Sequence, residues 1–150
     1  MRIVIQRVTR AQVSVDGEVT GAVGRGMMVL VGVENGDEES DARWLADKTV
    51  ALRIFDDDAG VMNRSIIDAG GDVLAVSQFT LTASTRKGNR PSYIRAAGHG
   101  PATALYDAYC RMVAERIGRP VARGVFGADM KVELVNDGPV TIIIDSRLRE

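Results

Sequence analysis

Two apolar stretches leave this chain few ways to fold. Met27-Met28-Val29-Leu30-Val31 is continuous, and Val73-Leu74-Ala75-Val76 opens a second run that continues to Leu81. A strand without a polar face needs cover on both sides. Neither run approaches the ~20 apolar residues that a spanning helix requires, so the cover must come from elsewhere in the chain. Two segments with helical spacing supply it. Ala42, Leu45, Thr49 and Leu52 follow Asp37, which can cap a helix whose first turn holds Glu38, Glu39 and Asp41. Pro101 starts a second helix, with Leu105, Tyr109, Met112 and Ile117 on one face and Gly118 at its end.

The remaining segments read as strands. Ile3 to Val8 is β-rich, and residues 13–19 alternate around Asp16-Gly17, a dipeptide that tolerates the positive φ of a tight hairpin. Arg53-Ile54-Phe55 leaves the first helix as a short strand. Val121 to Val125, Met130 to Asn136 and Val140 to Asp145 close the chain, the last two joined through Asp137-Gly138-Pro139. Thr82 to Gly100 is a long loop, a feature that is often functional in a compact domain. The expected fold is mixed α/β: two packed β-sheets, or a partly closed β-barrel, covered by two helices. Residues 1–150 form one domain, with residues 146–150 as a charged tail.

Composition narrows the function. Lys plus Arg is 19 and Asp plus Glu is 20, a net charge of -1, whereas proteins that coat long nucleic acids carry a strong basic excess. Contact with one end of an RNA stays possible. Cys110 is the single cysteine, so neither an internal disulfide nor a paired-cysteine metal knuckle can form. The opening residues are too often charged for a signal peptide, and a cytoplasmic location without membrane partners is expected.

Most familiar chemistry is excluded. His99 is the only histidine and stands in Gly98-His99-Gly100, where a surface loop is the better reading than a general base. Cys110 falls mid-helix beside Tyr109 and Met112, as a core residue would. Asp56-Asp57-Asp58 fails the calcium-loop spacing, since Gly60 and Val61 stand where a ligand and the turn glycine belong. The glycines from Gly21 to Gly26 lead into a strand, and without a helix N-terminus they cannot cradle phosphate. No metal and no cofactor are expected.

Two features remain. Ser77-Gln78-Phe79-Thr80 ends a buried strand with three polar side chains around one aromatic. It is either a strand leaving the core or the floor of a pocket, where backbone N–H groups can meet a developing oxyanion. Asn136-Asp137-Gly138-Pro139-Val140-Thr141 holds a proline that interrupts any ladder. An ordinary trans-proline hairpin fits, and so does a type VI turn with a cis bond. Charge adds one asymmetry. No acid occurs from Val73 to Tyr106, while Arg86, Lys87, Arg90 and Arg95 all do. This is either a solvated basic loop or a patch that holds a few phosphates beside a pocket.

Taken in order, Ser77-Gln78-Phe79-Thr80-Leu81 and Asn136-Asp137-Gly138-Pro139-Val140-Thr141 resemble the motif pair of D-aminoacyl-tRNA deacylases. Ile5-Gln6-Arg7-Val8, Arg53-Ile54-Phe55, Arg90-Pro91-Ser92, Ala104-Leu105-Tyr106 and Phe126-Gly127-Ala128-Asp129-Met130 extend the resemblance over nearly the whole chain, the tail after Asp145 least. The resemblance implies a homodimeric hydrolase that cleaves the ester between a D-amino acid and the 3′-terminal adenosine of tRNA, in chiral proofreading, with glycyl-tRNA as a side substrate. It implies that Gly138-Pro139 is cis and enters the partner subunit's pocket, excluding L-aminoacyl groups. A rigid obstacle suits that task, because L and D groups carry identical atoms and no added attraction separates them.

An aminoacyl ester is already activated, and in the family the 2′-OH of the terminal ribose is thought to assist, so positioning and oxyanion stabilisation are what the protein must add. On this resemblance the N–H groups of Phe79 and Thr80 meet the carbonyl oxygen, Ser77 and Gln78 support the pocket, and the Thr80 hydroxyl orients water or ester. Phe126 and Met130 wall the adenine pocket, and Arg7 holds the Gly138-Pro139 turn. Two rivals are a non-catalytic binder of RNA ends and a deacylase whose trans Gly138-Pro139 bond relaxes chiral preference.

Overall fold

A computed structural model describes residues 1–150. Its organising element is β1 (Arg2–Val15), which is hydrogen-bonded along both edges. On one edge the Arg2–Val8 half pairs with β3 (Gly26–Gly32), and the Ala11–Val15 half pairs with β2 (Glu18–Val23). The turn between β1 and β2 is the expected Asp16-Gly17 hairpin, both residues at positive φ (50° and 82°). β4 (Phe55–Asp56) and β5 (Met62–Arg64) form a small separate ribbon. β6 (Asp72–Ser77) runs parallel to β3, and β7 (Ala122–Arg123) runs parallel to β6. The sheet then curls back on itself. The Thr20 hydroxyl donates to the Arg123 carbonyl, and a Cβ at Gly21 would lie 2.6 Å from that oxygen. The result is the nearly closed barrel that the strand pattern allows.

β8 (Lys131–Asp145) occupies the other edge of β1, and here the structure departs from the expected pair of strands joined by a turn. Both halves of β8 run antiparallel to β1. Ile5 faces Ile142 and Gln6 faces Thr141, but Val8 faces Asn136. Residues 137–140 are therefore extruded opposite Arg7 as a large bulge within one strand. The Gly138-Pro139 peptide bond in this bulge is cis.

α1 (Glu39–Ala51) and α3 (His99–Ile117) cover the outer face of the sheet; α2 (Ile66–Ala69) is a single added turn. The α1 cap is Glu38 and not Asp37. The Glu38 N–H donates to Asp41 at 2.8 Å, while Asp37 is taken by the Met1 ammonium and the Glu34 N–H. α3 begins two residues before Pro101 and ends, as expected, at Gly118 (φ 70°). Two buried hydroxyls lock these layers. Thr49 and Tyr109 bond at 2.8 Å between the helices, and Tyr106 donates to the Ala75 carbonyl at 2.9 Å. The second bond fixes α3 against β6, whose end carries the first motif.

Two apolar clusters result. Ile3, Ile5, Met27 and Val29 meet the helices, while Val8, Ala11, Val13, Met28, Leu74 and Val76 fill the barrel. No helix is long and apolar enough to cross a membrane. The tail is tied down: Ser146 is buried and its N–H donates to Met1, Arg147 pairs with Asp37 at 2.8 Å, and Arg149 lies over Trp44.

Candidate active site

The strand expected from Val73 to Leu81 stops at Ser77. The Gln78 N–H still donates to Val31 across the sheet at 2.8 Å, and then Phe79–Thr82 winds into a 3-10 turn. The turn is held by Leu81 N–H to Gln78 O (3.2 Å), Ala83 N–H to Thr80 O (3.1 Å) and the Thr82 hydroxyl to Phe79 O (2.8 Å). A helical start leaves its first N–H groups without acceptors. Those of Phe79 and Thr80 have neither a backbone nor a side-chain acceptor. The Gln78 amide donates to the Thr80 hydroxyl oxygen, which leaves the hydroxyl's own proton free for another acceptor.

This turn borders a pocket of about 420 Å³ that opens at the ends of β3 and β6. Of the residues expected at the site, Ser77, Gln78, Phe79, Phe126 and Met130 line it. Phe126 stands edge-on to the His99 ring (centroids 5.1 Å apart) and tilted against Tyr106 (5.9 Å). Met130 packs against Gly124, where any Cβ would strike its sulfur, and against the barrel cluster. The Phe79 ring lies outward, edge-to-face with Tyr93 at 5.0 Å.

His99 reads from its glycine neighbours as a loop residue, and the structure differs. His99 stands in the first turn of α3 and lines the pocket, as do Ala97 and Val33. A strand of loop joins them: Ala97 N–H donates to Val33 O at 3.0 Å, and Asn35 N–H to Arg95 O at 2.9 Å. No local pattern marks that pairing. His99 did carry one signal, its place just before a helix whose start closes one side of the pocket.

Arg7, Gly138 and Pro139 form a second locus. Arg7 is buried, and its guanidinium donates to Ile54 O (2.7 Å) and Asp137 O (3.1 Å) and faces the carboxylates of Asp56 (3.3 Å) and Asp137 (3.4 Å). The Asn136 amide bridges Arg7 O and Val140 O, both at 3.0 Å, closing the neck of the bulge. Gly138 has φ 124°, and a Cβ there would lie 2.9 Å from Val140 and 3.0 Å from Arg7. Within one chain this locus is apart from the pocket. Arg7 pairs with Met27, whereas Ile3 pairs with pocket residue Val31, so the two sites are about 13 Å apart along the strands.

Other reactive groups are withdrawn. Burial pushes the Cys110 thiol up to about 11, and raises the hydroxyl pKa of Tyr106 and Tyr109 further. No group of three or more His, Cys, Asp or Glu side chains is placed to hold a metal ion. The pocket lining therefore offers the Ser77 hydroxyl, the Gln78 amide, the His99 imidazole and the Asp129 carboxylate among apolar walls; the free N–H of Phe79 belongs to it, and Thr80 follows one residue beyond.

The geometry has clear relatives. A family model described as D-Tyr-tRNA(Tyr) deacylase matches residues 4–145. The chain is 57% identical to a D-aminoacyl-tRNA deacylase of Parabacteroides distasonis over 150 residues, all of both chains. It is 61% identical to a protein of that same description from Anaeromyxobacter dehalogenans over 147 residues, 98% of each. The solved structure of the c-Myc DNA Unwinding Element Binding Protein superposes with a TM-score of 0.90 at 38% identity, covering 97% of this chain and 98% of that one.

Proposed function

The chain belongs to the D-Tyr-tRNA(Tyr) deacylase family and acts as a D-aminoacyl-tRNA deacylase, and from that premise we propose how it does so. The ester joining a D-amino acid to the 3′-terminal adenosine of tRNA lies in the pocket beside the 3-10 turn. Water attacks the carbonyl carbon, the ester C–O bond breaks, and free D-amino acid and tRNA leave. The observation that carries this reading is the pair of partnerless N–H groups at Phe79, which lines the pocket, and at Thr80, the next residue of the same turn. Donors fixed before the reaction stabilise an oxyanion without reorganising. Thr80 orients water or the ester through its free hydroxyl proton; Ser77 and Gln78 hold the turn; Phe126 and Met130 receive the adenine.

Chirality is selected by exclusion. The Gly138-Pro139 bulge of a second subunit enters the pocket and occupies the space an L side chain would need. Two observations support a second subunit. The bulge is remote from its own chain's pocket, and it is braced by Arg7 and Asn136 as a rigid projection would be. A two-fold homodimer satisfies both pockets at once. Glycyl-tRNA, which has no side chain to reject, is also hydrolysed. The reaction belongs to the cytoplasm, where charged tRNA is used.

The test is deacylation of one tRNA charged with D-tyrosine, L-tyrosine or glycine. The D and glycyl esters should be cleaved and the L ester spared, and sedimentation should give about twice 16.1 kDa. Thr80→Ala should slow the D reaction by less than the ~10²–10³-fold scale of a lost oxyanion donor, since the backbone donors remain. Protection of the D ester would instead identify a non-catalytic binder of RNA ends.

A further inference from the structure

Arg86, Lys87 and Arg90 are a cluster of unmatched cations; Arg10, the other cation without a partner, stands apart on β1. Most of its other cations are spoken for: Arg95 pairs with Glu34, Arg119 with Asp72, Arg123 with Asp107, and Arg25 and Lys48 lie over aromatic rings. These three, within five positions, are exposed and make no ion pair, side-chain hydrogen bond or ring contact. The nearest acids in sequence, Asp72 and Asp107, are held by the arginines just named. A compact cluster of like charges without counterions projects a positive potential.

Its position is defined. Ser84 and Ser92 exchange both N–H···O bonds at 2.9 Å and close a seven-residue tip, turned at Gly88 (φ 76°). Below that bridge the loop is strapped to the pocket rim. Tyr93 packs edge-to-face with Phe79, Arg95 donates to Thr82 O at 3.1 Å, and Ala97 pairs with Val33. The cations thus stand up to about 13 Å beyond the rim on a braced base. Between them and the pocket lie two exposed aromatic residues, Phe79 and Tyr93. The tip has no large apolar side chain to anchor a protein partner. Point charges leading to exposed aromatics are the pattern that tracks a single nucleic-acid strand.

We propose that Arg86, Lys87 and Arg90 bind the backbone phosphates of the single-stranded 3′ end of tRNA, just before the terminal adenosine. The loop holds the strand while the pocket holds the ester. This rests on the reading of the pocket given above and adds to it the path of the RNA.

The test compares two esters of one D-amino acid, on full tRNA and on adenosine alone, with wild type and with the combined variant Arg86→Gln, Lys87→Gln, Arg90→Gln. Three lost phosphate contacts flatten the log–log salt dependence of kcat/KM on tRNA by about 2, so wild type should lose about 20-fold more than the variant between about 50 and about 200 mM salt. KM for tRNA should rise with kcat unchanged, and the adenosine ester should be cleaved equally by both proteins. The combined variant Arg86→Lys, Arg90→Lys should keep the wild-type slope. An unchanged slope, or equal losses on both esters, would overturn the loop's role while leaving the pocket intact. A wild type inert on both esters would overturn the pocket reading and this inference together.

Discussion

Replacing Arg7 with methionine tests whether the bulge in β8 is held from outside or stands by itself. Methionine keeps most of the apolar stem and removes the guanidinium. Two carbonyls then lose their donor, the buried Ile54 O and the partly buried Asp137 O. Hydrogen bonds to a charged group contribute about 1.5–3 kcal/mol each. The carboxylates of Asp56 and Asp137 are 50% and 43% exposed, so water screens them and each adds only ~0–1 kcal/mol. The expected loss is about 3–5 kcal/mol, the range for breaking a buried charged network and a large part of a domain's stability. In urea this shifts the unfolding midpoint down by about 2 M at the slope usual for small proteins. The second readout is chemical. Without its brace the bulge should exclude L esters less well, and the ratio of L to D hydrolysis should rise. A midpoint within ~0.5 M of wild type, with selectivity unchanged, would refute the brace.

Gly138→Ala places a Cβ against Arg7 and Val140 at a φ that L residues avoid, so D-ester activity should fall while the unfolding midpoint drops modestly, by about 1–3 kcal/mol equivalent; full retention of both would show the bulge to be plastic. Cys110, with its thiol raised by burial, should react with iodoacetamide at pH 8 at least about 100-fold more slowly in the native protein than in urea, and Cys110→Ala should remain active. Asp145 is pushed up by burial but pulled further down by the Arg147 N–H and by Arg2, so it ionises below the usual carboxylate range. A depressed folded value stabilises above the unfolded pKa and is lost as pH falls through the folded one. The stability gap between wild type and Asp145→Asn, read from urea midpoints, should therefore be full at pH 6 and shrink below about pH 4.

What was legible in the sequence was what is decided locally. Asp16-Gly17 turns because its own φ preferences demand it, and Gly118 ends α3 for the same reason. Asp37 was a plausible cap by type, but its carboxylate is engaged by Met1 and Glu34, and no local pattern reports that Met1 comes there. The segment after Ser77 is apolar enough to continue as strand, yet β3 ends beside it and the ladder has no partner to extend along. Gly138-Pro139 reads as a hairpin turn from its neighbours alone. Only the 14-residue length of β1, able to pair with both flanking segments in turn, makes it a bulge in one strand. The pocket residues near Ser77 were legible as a motif. Ala97 and Val33 were not, because a contact between two loop segments distant in sequence places them.

The sharing of β1 between both apolar clusters also bears on how the protein comes apart. Ile3 and Ile5 belong to the helix-covered cluster, and Val8, Ala11 and Val13 to the barrel, on one unbroken strand bonded along both edges. Neither cluster can open without pulling that strand from the other. The two cores should therefore melt as one cooperative unit, with amide exchange in the middle of β1 governed by global unfolding, while β5 and the Arg86 loop exchange through small local openings.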